Sequence, residues 1–363
     1  MLPDVTKITV GGYRSIEHTT IDLHRINILI GANGSGKSNF ISLFDLLRAI
    51  TQDNLQTHIA RSGGANTQFY LGTRHTKTIA VKIEIDENTY EFKLAADTSD
   101  ACYFDEEIVT FWIKRLYDEP YKESLGSGHR ETRLSQVKSG DNTIQSFTRK
   151  NLESWFVYHF HDTGDHSPLK RTADIDEIAY LLPDGGNLAA YLYHLQQNEP
   201  EHYQGILSAI QLILPGFREF TYLKEEKSNT VRLRWKTTTS GDYTLPVSAF
   251  SDGTLRFIAL ATLFLQSKPP KLIIIDEPEL GLHPHAITIL AELIHIASSK
   301  SQIILSTQSS QLVSEFTPED IIIAESVNGA TTLSRPDKES LNEWLTDYSL
   351  GDIWQSNVIG GNP

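Results

Sequence analysis

Eight consecutive residues, Gly31-Ala32-Asn33-Gly34-Ser35-Gly36-Lys37-Ser38, carry the strongest chemical signal in the sequence. Their spacing suits a triphosphate. Glycines let backbone N–H groups wrap the phosphates, a lysine neutralises the β and γ charges, and the final hydroxyl can ligate Mg2+. Asn33, Gly34, Ser35, Gly36, Lys37, Ser38 and the adjoining Asn39 are therefore candidate contacts for ATP, with Ser38 also a candidate metal ligand. A second group, Asp276-Glu277, closes the apolar run Leu272-Ile273-Ile274-Ile275. Asp276 suits the Mg2+ shell beside Ser38, and Glu277 suits a base that orients and polarises an attacking water. Together the two groups imply hydrolysis of a phosphoanhydride.

Particular elements must bring them together. The run INILI at 26–30 reads as a buried strand that hands over to the glycine turn, and Phe40, Ile41, Leu43, Phe44, Leu46 and Leu47 recur at helical spacing after it. The 271–275 run reads as another buried strand, which would deliver its acids at the carboxyl edge of a parallel sheet. Phe250-Ser251-Asp252-Gly253-Thr254-Leu255-Arg256 is a small-residue turn opening the apolar helix FIALATLFLQ. A helix start with a serine hydroxyl and free N–H groups can receive an anion, so Ser251, Asp252 and Gly253 join the candidates. Elsewhere the pattern predicts strands at QFYLG, TIAVKIEI and NTYEFKL, loops and short helices over 97–172, and two helices over 186–214 with Asn187 as N-cap. Strands at FREFTYLK and TVRLRWK, a helix over 285–297 and a strand over 302–306 complete it.

Composition narrows the class. An apolar fraction of 39% and a charged fraction of 21% are those of a folded domain. The net charge of −14 excludes a pervasive basic footprint for nucleic acid, so any such contact is local or made by a partner. The single cysteine, Cys102, allows neither an intrachain disulfide nor a Cys-rich zinc site. With no apolar run of membrane-spanning length and no signal-like start, the expected location is the cytoplasm, without membrane insertion.

Beyond the individual groups, FSDGTLR resembles the ABC signature, Leu-Ser-Gly-Gly-Gln, with Ser251 and Gly253 in place and Asp252 and Thr254 departing from it. The order phosphate loop, signature, acid strand is that of ABC-type ATPases. The run IDEPELGLHP, with its 279–284 stretch at the D-loop place, is similar to soluble ABC-type ATPases related to RecF and the OLD nucleases. Gln308 stands where many such ATPases carry a switch histidine. Glutamine can hydrogen-bond a phosphate or water but takes no proton at neutral pH, which leaves the base role to Glu277. Tyr13-Arg14-Ser15-Ile16 resembles the start of SMC and RecF-type heads, where a basic residue reaches the nucleotide, so the resemblance makes Arg14 a candidate. The glutamine that senses magnesium in ABC heads has no assignment among Gln68, Gln136 and Gln145.

The whole chain resembles stand-alone AAA/ABC-like ATPases with a RecF/SMC/OLD-like head. The implied fold is an α/β ABC/SMC-type P-loop NTPase head over 1–363, with a β-rich N-terminal lobe and an α/β C-terminal lobe. Residues 97–245 would form a compact insertion, too short for coiled-coil arms. The implied function is an ATPase switch: a homodimer sandwiching ATP and Mg2+ in composite sites, controlling an effector protein or nucleic acid in genome maintenance or anti-phage defence. The rival readings are a membrane transporter's ATPase subunit and a metal nuclease at His159, His161 and Asp162. The tail residues Leu341, Trp344, Leu345, Tyr348, Ile353 and Trp354 are expected to pack on the core.

Overall fold

The computed structural model describes residues 4–136, 143–225, 227–239, 241–341 and 343–361. In chain order the first elements are β1 (Val5–Tyr13), β2 (Ile16–Asp22), β3 (Ile26–Ile30), α1 (Lys37–Thr51), α2 (Leu55–Arg61), α3 (Ala65–Gln68), β4 (Thr78–Ile85) and β5 (Asn88–Ala96). Next come β6 (Cys102–Phe111), β7 (Tyr121–Gly126), α4 (Ile144–Glu153), β8 (Trp155–Tyr158), β9 (Ala173–Asp174), α5 (Leu188–Asn198), α6 (Pro200–Ile213), β10 (Phe217–Glu225), β11 (Thr230–Thr237) and β12 (Leu245–Pro246). The last are α7 (Asp252–Leu265), β13 (Leu272–Asp276), α8 (Pro284–Ser298), β14 (Gln302–Ser306), α9 (Ser310–Ser314), β15 (Ile321–Val327), β16 (Ala330–Ser334), α10 (Lys338–Leu341) and α11 (Leu350–Gln355).

The sheet that matters most has the order β16-β15-β3-β14-β13-β8. All neighbours from β15 to β8 are parallel, and β16 closes the far edge antiparallel. Its central strands β3, β13 and β14 are mostly apolar because both faces are covered. Ile28, Ile30, Ile273, Ile275, Ile303 and Leu305 face a core shared with α5 to α8. Leu29, Leu272, Ile274 and Ile304 face a second core shared with α1 and the antiparallel sheet β2-β1-β4-β5-β6-β7. The parallel sheet is thus a wall between two cores, and alternate residues serve each. Helix α7 is buried from Leu255 to Phe264, apolar apart from Arg256 and Thr262, because α6 and α8 flank it.

Residues 97–245 contribute to all three sheets: β6 and β7 extend the antiparallel sheet, β8 edges the parallel one, and β9 to β12 form the third. Several of these elements differ from the sequence expectation. The strand β6 carries Asp105-Glu106-Glu107 in its middle, which masks its alternation. Glu107 is nonetheless fully buried, accepting hydrogen bonds from Tyr90 Oη at 2.7 Å, from the Thr132 hydroxyl and from the Arg133 N–H at 3.1 Å, with His129 Nε2 at 2.7 Å. QFYLG is no strand. Gln68 ends α3, and Phe69 touches β1 through a single bridge to Tyr13. Asn187 stands at the N-cap position of α5, as expected, but its side chain makes no capping bond; it accepts from Leu182 N at 2.9 Å and donates to the Glu177 and Tyr180 carbonyls, both at 2.8 Å, closing the preceding loop. Burial pushes the Cys102 thiol up to about 12, which leaves it inert.

The tail divides. Leu341, Ile353 and Trp354 are buried and Leu345 packs partly on the core, while Trp344 and Tyr348 stay exposed. Trp354 is 0% exposed, and its indole N–H donates to the Gly361 carbonyl at 2.6 Å. Replacing Trp354 with Ala should cost about 3–5 kcal/mol of unfolding free energy. A urea titration showing a loss below about 1 kcal/mol would mean that the tail is not part of the core.

Candidate functional site

Because the strands run parallel, β3, β14, β13 and β8 all end at one edge of the sheet, and each hands over there to a candidate segment. After β3 the chain wraps through Gly31–Gly36 into α1. Gly36 has φ 102°, and a Cβ there would collide with the Thr331 hydroxyl, so only glycine fits. The same hydroxyl donates to the Ser35 carbonyl at 3.0 Å and lies 2.7 Å from Ser15 Oγ, which accepts from Asn39 Nδ2 at 2.7 Å. Gly36 brings no side chain to cap α1, so the first N–H groups of that helix keep no side-chain partner. Lys37, 5% exposed, folds back to donate to the Gly31 and Ala32 carbonyls at 2.5 and 3.0 Å. Burial pulls its ammonium below the usual lysine range, opposed by Glu277, Asp276 and Glu279.

Three features of this loop fit a bound phosphate chain. Ser35 Oγ is buried without a partner among the described residues, the α1 start is uncapped, and the Gly34 Cα faces open space. The donor set also fits Mg2+, a hard cation, since the hydroxyl of Ser38 and the carboxylate of Asp276 already meet at 3.1 Å.

At the end of β13, Asp276 accepts from Ser38 through Oδ2 and from the Ser306 hydroxyl of β14 through Oδ1. Glu277 takes the left-handed conformation, φ 45°, held by its N–H to the Ser306 carbonyl at 3.0 Å. Glu277 is half-buried, and a non-glycine residue in this conformation carries backbone strain. Gln308 Nε2 donates to Glu277 Oε1, joining the turns after β13 and β14. Lys37, Ser38, Asp276, Glu277 and Gln308 are thus brought together. Arg14, φ 48° in the β1–β2 turn, donates through Nε to Gln68 Oε1 at 3.2 Å. It lines a cavity of about 610 Å3 with Ser15, Asn39, Gln68 and Gly329, next to the α1 start.

The start of α7 stands apart. Ser251 caps it by accepting from Thr254 N at 3.2 Å, and Ser251 and Asp252 are exposed, with no hydrogen bond among the described residues to the Gly31–Asn39 loop. Gly253 is pressed against the Gly281 carbonyl, where a Cβ would not fit.

Two residues take on weight that their sequence context did not show. Glu279, 8% exposed, accepts from the Thr307 hydroxyl at 2.6 Å and the Gln308 N–H at 3.2 Å. His159 follows β8, whose register pairs Tyr158 with Ile275, so it emerges beside Asp276. Its Nε2 lies 3.9 Å from Asp45 of α1, and Asp45 raises its pKa against the pull of burial. Only the strand register could have signalled this, and a four-residue strand is too short to read. Among the described residues no group of three or more His, Cys, Asp or Glu could hold a metal, so the metal reading of His159, His161 and Asp162 has no ligand cluster behind it.

Residues 26–314 match the family model described as "AAA domain, putative AbiEii toxin, Type IV TA system". The "Old nuclease" of Escherichia phage P2 is 22% identical over 347 residues, covering 85% of this chain and 57% of that protein, so the chain spans little more than half of that relative's length. The crystal structure of an Smc head bound to the C-winged helix domain of ScpA aligns with a TM-score of 0.62 at 18% identity, covering 94% of this chain and all of that one. An Smc head with an extended coiled coil, bound to the C-terminal domain of ScpA and derived from Pyrococcus furiosus, aligns at 0.58 and 15% identity over 95% and 99% of the two chains. The fold is accordingly that of an ABC/SMC-type P-loop NTPase head.

The collision at Gly36 makes a test. Gly36→Ala should destabilise the chain by about 1–3 kcal/mol and weaken binding of a fluorescent ATP analogue at least about tenfold. Wild-type affinity would show that the loop does not hold phosphate.

Proposed function

The chain belongs to this family of AAA domains and is an ATPase, and we propose that it works as an ATP-gated dimerising switch. What carries the reading is the meeting of Lys37, Ser38, Asp276, Glu277 and Gln308 at one sheet edge, beside a helix start free to receive phosphate. In this reading Asn33 to Asn39 bind the phosphates of ATP, and Arg14 reaches the nucleotide from the neighbouring cavity. Ser38 and Asp276 would hold Mg2+, which when bound supplies the charge neutralisation that carboxylates crowded around a single ammonium cannot. Glu277 orients the attacking water and accepts its proton. Gln308 holds Glu277 by its amide and cannot itself accept a proton at neutral pH.

The exposed start of α7 supports the second half of the reading. Ser251, Asp252 and Gly253 form an anion-receptive helix start whose first two residues their own chain leaves exposed, and a second copy would bring it to the phosphates bound by the first. ATP then acts as an adhesive that two copies share, and hydrolysis releases it. We treat residues 1–363 as one head, with 97–245 its most individual part and the place for partner contacts.

The partner is an effector protein or nucleic acid in genome maintenance or defence, a reading that rests on the family description and on the likeness to the Old nuclease. The transporter alternative finds no support in the family match or the structural likenesses. Among the described residues no helix is long and apolar enough to cross a membrane.

Glu277→Gln keeps the shape of the site and removes the base. It should lower turnover at least about a hundredfold and leave an ATP-dependent dimer visible by light scattering. A variant that stays monomeric with saturating ATP would overturn the switch.

A further inference from the structure

Glu279 lies in the turn after β13, almost out of water, although its neighbours Leu280 and Gly281 are exposed. Burying a carboxylate is costly unless its oxygens are satisfied. Here one oxygen is fully used, by Thr307 and the Gln308 N–H, while Oε2 has no partner among the described residues. Burial drives the carboxyl up, and the bonds from Thr307 and Gln308 pull the other way. So the fold tolerates a half-satisfied buried acid at this point, and what it obtains in return is geometric.

The bonds close a ring. Glu279 holds the backbone of Gln308, the Gln308 side chain donates to Glu277, and Glu277 joins Glu279 through the chain. The same turn seats the start of α7, since Gly253 packs on the Gly281 carbonyl. Arg256 of α7 interacts electrostatically with Glu279 and anchors that helix to the Phe160 and His161 carbonyls, both at 3.0 Å.

We propose that Glu279 is a positioning residue for hydrolysis: it locks Gln308 against Glu277 and makes that pair depend on the turn that seats the start of α7. The proposal rests on the reading of Glu277 and Gln308 as the water-orienting pair. A purely structural acid would lower stability without acting through Gln308.

The test is a set of variants of the full chain, each measured for ATP turnover, for affinity toward a fluorescent ATP analogue and for thermal stability. Glu279→Ala should lower kcat about tenfold or more while the analogue's Kd stays within about threefold. Glu279→Gln, which keeps the carbonyl acceptor, should return kcat to within about threefold of the parent. The double variant Glu279→Ala/Gln308→Ala should be no slower than Gln308→Ala alone, within about twofold, because both act through one contact. Should Glu279→Ala not fold, Glu279→Asp keeps the charge but withdraws the acceptor; slow turnover with unchanged affinity supports the proposal and full turnover overturns it. Full turnover of Glu279→Ala, no recovery in Glu279→Gln, or losses that multiply in the double variant also overturn it. Glu277→Gln separates the two failures. If it hydrolyses ATP normally, the reading of the pair has failed; if it is inactive while Glu279→Ala is not slowed, this inference alone has failed.

Discussion

The carboxylate of Asp276 is the joint on which the site depends. It accepts from Ser38 at the start of α1 and from Ser306 at the end of β14, so one side chain ties together the ends of β3, β13 and β14. Such a joint forms only because those strands are parallel and therefore end on the same side. In an antiparallel arrangement the two serines would stand at opposite edges. The topology is thus a condition of the chemistry, and the apolar strands that look like mere core are what enforce it.

That dependence explains why so much was legible in the sequence. A strand covered on both faces is apolar except where a buried polar side chain such as Asn27 has its own partners, and this requirement makes INILI and LIIID conspicuous and places the residues that follow them. The glycine spacing at 31–36 is equally forced, since Gly36 has no room for a side chain. What stayed hidden was encoded in tertiary partners. Glu107 breaks the pattern of β6 because its compensation comes from Tyr90, Thr132, His129 and Arg133, up to 26 residues away in sequence. Asn187 has the residue type of a cap but spends its amide on a loop. Glu279 sits in a stretch that reads as exposed turn, and only the approach of Thr307 reveals it as buried. His159 could not be placed without the register of β8 on β13.

The two segments that the proposed function brings together stand in different states of completion. Around Gly31–Asn39 the backbone is already curled, and Lys37 meanwhile bonds to carbonyls of its own loop. The backbone donors are preorganised and spend little on rearrangement when an anion arrives, whereas Lys37 must exchange its carbonyl partners. The start of α7 is organised as well, capped by Ser251 and seated by Gly253, yet it faces away into solvent. Within its own chain this helix start is used for its cap and for the contact of Gly253 with Gly281, and the proposed second copy would use the exposed Ser251 and Asp252.

The glutamine at position 308 constrains the division of labour further. An amide has donors and an acceptor but no proton to exchange at neutral pH. With its NH2 group committed to Glu277, Gln308 can fix where the carboxylate points, and it leaves the second oxygen of Glu277 free to face a water. In the proposed reading proton acceptance falls on Glu277, held in a left-handed backbone conformation that a relaxed turn would not adopt. A histidine at position 308 could share that task and would make turnover sensitive to its own titration near neutrality. A glutamine removes that sensitivity, so what remains to be regulated is geometry, the distance between the turns after β13 and β14, and not charge.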